Sequence, residues 1–210
     1  MDLTFFNPYA EIEHLRNRLP HWEQKGATYF VTFRLADALP AELLRAWEEE
    51  RARWLEWHPE PWAPELEREY HERFSGAIER TADEGHGECL LRDPESARLV
   101  GAALAHFEGE RCDQLAWVVM PNHVHVVFGL RPPWTLNKLL QSWKGFTARS
   151  LNKLHGRTAG VWQRDYFDRL IRDERHFANV VRYIRNNPVK ANLRLGSYLH
   201  WESPIARGIE

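Results

Sequence analysis

Two histidines stand one residue apart at the start of an apolar, β-branched run, 120–127. Because strand side chains alternate between faces, His123 and His125 are expected on one face, with Val124 and Val126 on the other. Neutral imidazole nitrogens are common ligands of divalent cations, so the pair indicates half of a metal site. The alternative is a solvated or internally hydrogen-bonded pair, which is an ordinary finding in a chain with 11 histidines.

A tyrosine and an asparagine further along the chain could complete such a site. Tyr183 and Asn187 are four residues apart in a helical pattern, which places them on one face of a helix. A phenol can act as a nucleophile, and an amide carbonyl is a hard oxygen ligand. Since a phenol with a pKa of about 10 is a poor nucleophile at neutral pH, attack on a phosphodiester would need a metal to polarise the phosphate. Alternatively, Tyr183 packs in the core and Asn187 is a helix C-cap.

The histidines need a sheet to position them. Segment 28–35 is rich in aromatic and β-branched residues, which is typical of a half-buried strand. The apolar runs 114–120 and 123–130 are separated by the turn residues Pro121 and Asn122, which indicates an antiparallel pair. The histidines are therefore expected on a strand near the middle of a sheet.

Helices are predicted between and after these strands along the chain. Segment 136–154 has one apolar face, and Asp173 can cap a last helix. That helix is expected to end at Pro188, because the residue before a proline is disfavoured in the helical region, and Asn187 would then be extended. Segment 42–87 is predicted as an acidic helical insertion, and 88–91 as a short strand. We expect one domain over 1–210.

Charge is distributed unevenly along the chain, although its net value is only -2. Segment 37–113 holds 20 acidic and 9 basic residues, whereas 131–194 holds 14 basic and 4 acidic ones. This asymmetry favours a polyanionic partner for the C-terminal part, unless solvated helix faces simply differ in sign. Cys89 and Cys112 are too few for a disulfide framework or a thiolate zinc site. With no secretory signal and no long apolar run, we expect a cytoplasmic location.

Six strings, spread over about 16–193, closely resemble the REP-associated tyrosine transposases, a branch of the single-tyrosine HUH transposases. The most specific combination is the histidine pair with the final Tyr-x-x-x-Asn-Pro of residues 183–188. The strings are RLPHW (18–22), YFVTFRL (29–35), WVVMPNHVH (117–125), WKGFTA (143–148), WQRDYFD (162–168) and YIRNNP (183–188).

This resemblance implies an α+β fold with a central antiparallel, ferredoxin-like HUH sheet and helices on its faces. It implies that His123, His125 and Asn187 bind Mg²⁺ or Mn²⁺ and that Tyr183 is the nucleophile. Attack on single-stranded DNA would give a 5′-phosphotyrosine and a free 3′-OH, and the expected substrates are palindromic repeats folded as hairpins. The insertion departs from compact members of the family, and it leaves monomer or homodimer open. With DNA as the substrate, the expected location is the bacterial cytoplasm, in association with the nucleoid.

Basic and aromatic side chains are candidates for DNA contact. They are Lys138, Lys144, Arg149, Arg182 and Arg185, with Trp143 as a stacking platform. Tyr166 is a rival nucleophile, although it has no ligand type one helical turn away, and packing is the favoured interpretation. Two other functions stay open: a hairpin-DNA-binding protein that regulates repeats without cleavage, and a metal-dependent phosphoester hydrolase that uses water.

Overall fold

The structure is a computed structural model that describes residues 3–16, 20–59 and 62–210. Its strands are β1 (Glu13–Arg16), β2 (Pro20–Glu23), β3 (Thr28–Arg34), β4 (Cys112–Val119), β5 (His123–Leu130), β6 (Phe167–Leu170) and β7 (Leu199–Glu202). Its helices are α1 (Ala41–Trp57), α2 (Pro64–Tyr70), α3 (Gly76–Asp83), α4 (Pro94–Ala105), α5 (Leu136–Leu154), α6 (Glu174–Lys190) and α7 (Pro204–Arg207). A π-helical turn, His71–Ser75, joins α2 to α3.

Five strands form an antiparallel sheet in the order β6-β3-β5-β4-β7, and β1 pairs with β2 separately. The fold is α+β with a central antiparallel sheet, as predicted, and β5 is its middle strand. In the register of β3 against β5, Thr32 lies opposite His125 and Arg34 opposite His123. Residues directly opposite in an antiparallel pair project from the same face, so these four side chains share one face of the sheet.

The face opposite the histidines is covered by α4 and α5. Leu139, Leu140 and Trp143 of α5 pack there against Val124 and Phe128 of β5 and are almost fully buried. Alternation along the strands and the helical spacing of the apolar residues place these side chains on the side that faces the cluster. This larger cluster is the main hydrophobic core, and it packs on the face of the sheet opposite the histidines.

Helix α4 approaches the sheet closely at a glycine. A Cβ added to Gly101 would lie 2.9 Å from Cη2 of Trp117, so a larger residue would push the helix away from β4. Asp93 caps this helix, because its carboxylate accepts a hydrogen bond from the backbone amide of Ser96.

The histidine face is covered by α6 and, at one end, by α7. Phe177, Val181 and Ile184 of α6 pack with Phe30 of β3 and Val127 of β5, and all five are buried. Helix α6 has the apolar stripe expected of a helix with one buried face. It therefore brings its inward side chains to the same face as the histidines.

The predicted helical insertion contains α1, α2 and α3. Its own small aromatic cluster consists of Trp54, Tyr70 and Phe74, whose rings lie 5.3 to 5.8 Å apart. Arg51 donates a hydrogen bond of 2.5 Å to the Tyr70 hydroxyl beside this cluster. The insertion thus has a small core of its own, and its last residues contact Asn122, directly before β5.

Several predicted boundaries are confirmed and others are wrong. Helix α5 spans the predicted residues, whereas 88–91 is not a strand and Leu90–Arg92 forms a 3-10 turn. Helix α6 does not end at Pro188 but continues to Lys190. A proline ring fixes φ near its helical value, and the fully buried Ile184 and Asn187 hold the preceding turn in place. Within the described ranges, none of the helices is long and apolar enough to span a bilayer.

Candidate active site

His123 and His125 are both 1% exposed, and each ring has a polar neighbour at Nδ1. Nδ1 of His125 lies 2.8 Å from the Thr32 hydroxyl, and Nδ1 of His123 lies 2.7 Å from Oδ1 of Asn122. A protonated Nδ1 that donates to these oxygens leaves Nε2 with its lone pair, which is the form that binds a metal. Both rings are therefore oriented with Nε2 toward the interior of the site.

The orientation of Asn122 is fixed by two further hydrogen bonds. Its amide nitrogen donates to the backbone carbonyls of Ala82 (3.0 Å) and His86 (3.1 Å). Because the nitrogen is engaged in this way, the amide oxygen must face His123, whose Nδ1 must then carry the proton. The last turn of the insertion thus determines the tautomer of a site histidine.

Burial keeps both imidazoles neutral. Desolvation, and to a lesser extent the positive charge of Arg34, lower the pKa of His123 to about 3. The pKa of His125 is also well below its usual range, because of burial first and of His123 and Arg34 next. At neutral pH both side chains are unprotonated, as a metal ligand must be.

Helix α6 brings Tyr183 and Asn187 to the same imidazole, as their spacing predicts. The Tyr183 hydroxyl lies 3.5 Å from Nε2 of His125, and Nδ2 of Asn187 lies 3.3 Å from it. Phe30 stacks on the His125 ring, with centroids 5.7 Å apart, and meets the Tyr183 ring edge-on at 5.8 Å. The phenol is half-buried, whereas Asn187 is fully buried. A nucleophile and an amide are therefore placed one helical turn apart over one ligand nitrogen.

A carboxylate from the insertion joins this group. Oδ1 of Asp83, the last residue of α3, lies 3.5 Å from Nε2 of His123. Ligand atoms of Asp83, His123 and His125 all lie within 4.8 Å of one another, so the three can hold a divalent cation. Asp83 cannot be predicted as a ligand from the sequence, because no spacing rule connects it to histidines 40 residues away.

The polar atoms of the site fit a cation. Among the described residues, Nε2 of His123 and Oδ1 of Asn187 are buried without a hydrogen-bond partner. Buried polar atoms are normally paired, and ligand atoms of an absent ion are a recognised exception. The oxygen ligands of this set suit Mg²⁺ or Mn²⁺, and the imidazole nitrogens also suit other divalent transition metals. Asp83, His123, His125 and Asn187 are thus the residues that could bind the metal.

Lys190 is a second residue that the sequence analysis missed. Its ammonium lies 5.5 Å from the ring centroid of Tyr183, seven residues along the same helix face. The spacing is a usable signal, since positions seven apart lie on one side of a helix. An exposed cation at this place attracts an anionic group toward the phenol.

The rival Tyr166 lies elsewhere. Its side chain is 6% exposed and belongs to the core cluster on the opposite face of the sheet. Burial raises the pKa of its phenol, and nearby carboxylates, Asp168 first, raise it further. Both the position and the shift disfavour nucleophilic attack by Tyr166.

The predicted DNA contacts on α5 are not brought to the histidines. Lys138 and Arg149 are exposed on the helix that covers the opposite face of the sheet. The prediction for Trp143 is wrong, because the residue is 1% exposed and packs edge-on against Phe128 at 5.2 Å. Lys144 instead donates to the backbone carbonyl of Arg164 at 2.8 Å. Of these residues, only Lys144 is directed toward the segment before β6.

Arg182 and Arg185 are on α6, but both are bonded to the C-terminal residues. Arg185 forms a two-point ion pair with Glu202 and also donates to the carbonyls of Ala206 and Ile209. Arg182 is exposed and donates to the carbonyl of Glu210. Since the Arg185 guanidinium is already neutralised by Glu202, it acts within the protein rather than as a free cation for DNA.

A sheet with a buried histidine pair and a helix-borne tyrosine is the arrangement that the resemblance to HUH transposases implies. The family model described as "Transposase IS200 like" matches residues 90–187. This segment includes both histidines, Tyr183 and Asn187. Residues 90–187 therefore carry the sequence pattern of the IS200-like transposases.

Individual proteins that are similar to this chain share 15% to 30% sequence identity with it over the aligned residues. An uncharacterised protein of Haemophilus influenzae is 30% identical over 35% of this chain, and the chain spans 52% of that relative's length. A REP-associated tyrosine transposase solved with a REP hairpin aligns at 18% identity and a TM-score of 0.45, over 85% of this chain and 73% of its own. A protein of Deinococcus radiodurans R1 described as a candidate transposase aligns at 15% identity and a TM-score of 0.32, over 88% and 98%.

Proposed function

We propose that this protein is a metal-dependent endonuclease and strand transferase that acts on single-stranded DNA through Tyr183. The observation that carries the proposal is the convergence of the Tyr183 hydroxyl and the Asn187 amide on Nε2 of His125, at 3.5 and 3.3 Å. A structural tyrosine would need no buried pair of neutral histidines beside its hydroxyl. A nucleophile for phosphoryl transfer does need a cation site at that position.

Asp83, His123, His125 and Asn187 are the proposed ligands of a divalent cation, Mg²⁺ or Mn²⁺. When bound, the cation polarises the scissile phosphate and neutralises charge that develops on its oxygens. Asn187 can present its carbonyl oxygen by a half-turn of the amide, whose two ends have nearly the same shape. The hydroxyl of Thr32 and the amide of Asn122 keep the two imidazoles in the ligand tautomer.

In the proposed reaction, the Tyr183 oxygen attacks the phosphorus and its proton passes to water. The bond from the phosphorus to the 3′ oxygen breaks, and that oxygen takes up a proton to become a free 3′-OH. The product is a 5′-phosphotyrosine, and attack by another 3′-OH reverses the step and rejoins two strands. No external energy source is needed, because one phosphodiester replaces another.

Repeat hairpins are the proposed substrate class. The support is the resemblance of the six strings to REP-associated tyrosine transposases, together with the basic balance of segment 131–194. We also propose that 1–210 is a single catalytic domain in which the acidic helical insertion contributes Asp83. The carboxylate of that residue reaches the histidines that the central sheet carries.

The test is covalent capture of DNA. The protein is incubated with Mn²⁺ and a labelled hairpin oligonucleotide that carries a single-stranded flank, and adducts are resolved on a denaturing gel. We expect an adduct with the parent protein and none with Tyr183→Phe, while hairpin affinity is retained. Tyr9→Phe, at a tyrosine that is 96% exposed, is the matched control and should leave the adduct unchanged, and Tyr166→Phe tests the rival nucleophile.

Other results would assign another function. Loss of the adduct in Tyr166→Phe but not in Tyr183→Phe would show that the nucleophile is misassigned. Metal-dependent cleavage that persists in Tyr183→Phe would indicate a water nucleophile. Tight hairpin binding with no adduct in any repeat sequence would identify a DNA-binding regulator instead.

A further inference from the structure

A cavity of about 510 Å³ lies between the insertion and the segment that precedes β6. Trp47 and Arg51 of α1 line one side, and Trp162, Arg164 and Tyr166 line the other. The volume falls in the range of pockets that enclose small ligands, about 300–1,000 Å³. The chemistry described above uses none of these five residues.

Arg34 connects this cavity to the candidate active site. The residue lies directly opposite His123 in the β3–β5 register, and it is also one of the residues that line the cavity. Its positive charge acts on both site histidines. The backbone beside it is continuous with the cavity wall, since Gln163 donates its amide proton to the Arg34 carbonyl at 2.9 Å. The wall of the cavity and the candidate active site therefore share one residue, Arg34.

The two indoles of the cavity are held in fixed orientations. The Trp162 N–H donates to the Thr147 hydroxyl at 2.9 Å, and its ring meets Phe33 edge-on at 4.9 Å. The Trp47 N–H donates to the Phe74 carbonyl at 3.1 Å. Because each N–H is already bonded and each ring is only half-buried, what the indoles offer a ligand is an aromatic face. Rigid aromatic faces are how proteins bind unstacked bases of single strands.

The charges in the wall favour a nucleotide over a bare anion. The exposed Arg164 supplies positive charge suited to a phosphate, and the buried Arg34 and Arg51 add to the positive charge of the wall, whereas Glu48 and Asp165 carry carboxylates that can accept hydrogen bonds. Carboxylates repel a free phosphate but accept hydrogen bonds from the amino and imino groups of a base. A nucleotide offers both kinds of group, with its base and its phosphates on different sides.

We propose that this cavity binds one unpaired nucleotide of the DNA strand, adjacent to the phosphate that Tyr183 attacks. The inference rests on the proposed function, because it assigns a subsite to the same substrate. It also gives the insertion a role in DNA binding: α1 covers a base that would otherwise be exposed to solvent. Substrate choice next to the cleavage position would then depend on residues of the insertion.

The binding test uses Tyr183→Phe protein, so that no cleavage occurs. A fluorescein-labelled single-stranded oligonucleotide of mixed sequence is titrated in the presence of Mn²⁺, and its anisotropy is measured. Added Trp47→Ala and Arg164→Ala substitutions are expected to weaken the affinity about tenfold each, and Trp47→Phe to restore most of it, since a phenyl ring retains a stacking face. Trp57→Ala, at an 82% exposed residue of the same helix, is the control for Trp47→Ala. Arg98→Ala, at an exposed residue of α4, is the control for Arg164→Ala.

Each outcome decides the proposal. Parent-like affinity in Trp47→Ala and Arg164→Ala, or equal losses in the two controls, would overturn the nucleotide pocket and leave the proposed function intact. Failure of the unsubstituted protein to bind any single strand would overturn the proposed function together with the pocket.

A cross-linking experiment gives independent evidence on location. An oligothymidylate with one iodouracil is irradiated in the complex, with the modified base moved along the strand in successive oligonucleotides. At one position we expect a cross-link to the peptide that contains Trp47 or to the peptide that contains Trp162. Cross-links confined to peptides outside the cavity at every position would refute the assignment.

Discussion

At the scale of single residues, the site depends on polar neighbours that fix the imidazole rings. Thr32 and Asn122 each engage one Nδ1, and they leave both Nε2 atoms directed toward Asp83 and Asn187. The histidine pair is visible in the sequence, and alternation along a strand correctly predicts that both rings share a face. The hydrogen-bond partners are not visible, because Thr32 meets His125 only through the register of two strands 93 residues apart.

We expect Thr32→Val to weaken Mn²⁺ binding by about 10- to 100-fold, because the variant keeps the shape of the side chain and removes the acceptor that orients His125. Calorimetric titration with Mn²⁺ measures the change. Thr28→Val on the same strand is the matched control, since within the described part of the chain the buried Thr28 hydroxyl has no hydrogen-bond partner. Equal losses in the two variants would mean that the Thr32 hydroxyl does not orient the ring.

At the scale of elements, periodicity predicts helices well and assigns the roles of their residues less well. The apolar face of α5 predicts its bounds, but the aromatic type of Trp143 among basic residues wrongly predicts a DNA contact. A tryptophan in a basic helix can be either a core residue or a stacking platform for a base. The structure distinguishes the two, because Trp143 packs against Phe128 of the sheet and is buried. Pro188 shows a related limit: the local rule predicts a helix end, whereas packing of the preceding turn continues the helix to Lys190.

Trp143→Ala should lower the free energy of unfolding by about 3–5 kcal/mol, because it leaves a cavity in the cluster behind the sheet. Urea denaturation followed by circular dichroism measures the loss. Trp57→Ala, at an exposed position, should change the value by less than about 0.5 kcal/mol. A similar small effect at Trp143 would contradict its placement in the core.

Lys144 links α5 to the segment before β6, and burial lowers its pKa from 10.5 to about 8, an effect that Asp165 partly opposes. Since the folded state loses this proton first, the unfolded state binds more protons between about pH 8 and 10.5, and stability rises with pH across that window. Below pH 8 both states are protonated and the contribution is constant.

Lys144→Met should remove this rise. The difference in unfolding free energy between parent and variant should therefore shift in favour of the parent as the pH increases from 8 to 10.5. Parallel urea titrations at several pH values give this difference, and other titrating groups cancel in it. A difference that stays constant with pH would show that Lys144 has its ordinary pKa in the folded protein.

At the scale of the whole molecule, the candidate site is built from two parts of the chain that the sequence analysis kept separate. The sheet and α6 supply the histidines, Tyr183 and Asn187, and the insertion supplies Asp83. A segment with strong negative charge would be expected to lie away from a DNA-binding face, yet one of its carboxylates lies at the histidines. Charge summed over a segment does not predict where one side chain goes, because tertiary packing sets that position.

Asp83→Asn should weaken Mn²⁺ affinity about tenfold or more, since it removes a negative ligand but keeps the size of the side chain. Glu84→Gln is the matched control: Glu84 is the next residue, its carboxylate is exposed, and it pairs only with His86 among the contacts described for it. Both variants are titrated with Mn²⁺ and assayed for DNA adduct. Unchanged affinity in Asp83→Asn would show that the insertion does not contribute a ligand.

The amide of Asn122 has a practical consequence for protein engineering. Its nitrogen is held by two carbonyls at the end of the insertion, and its oxygen sets the proton position on His123. If the β4–β5 pair, with its two histidines, were transferred to a protein without the insertion, the Asn122 amide would lose both hydrogen-bond acceptors and could rotate freely. The two strands therefore cannot be transferred alone with the His123 tautomer preserved. A variant shortened by removal of the insertion would need two other acceptors in place of the Ala82 and His86 carbonyls.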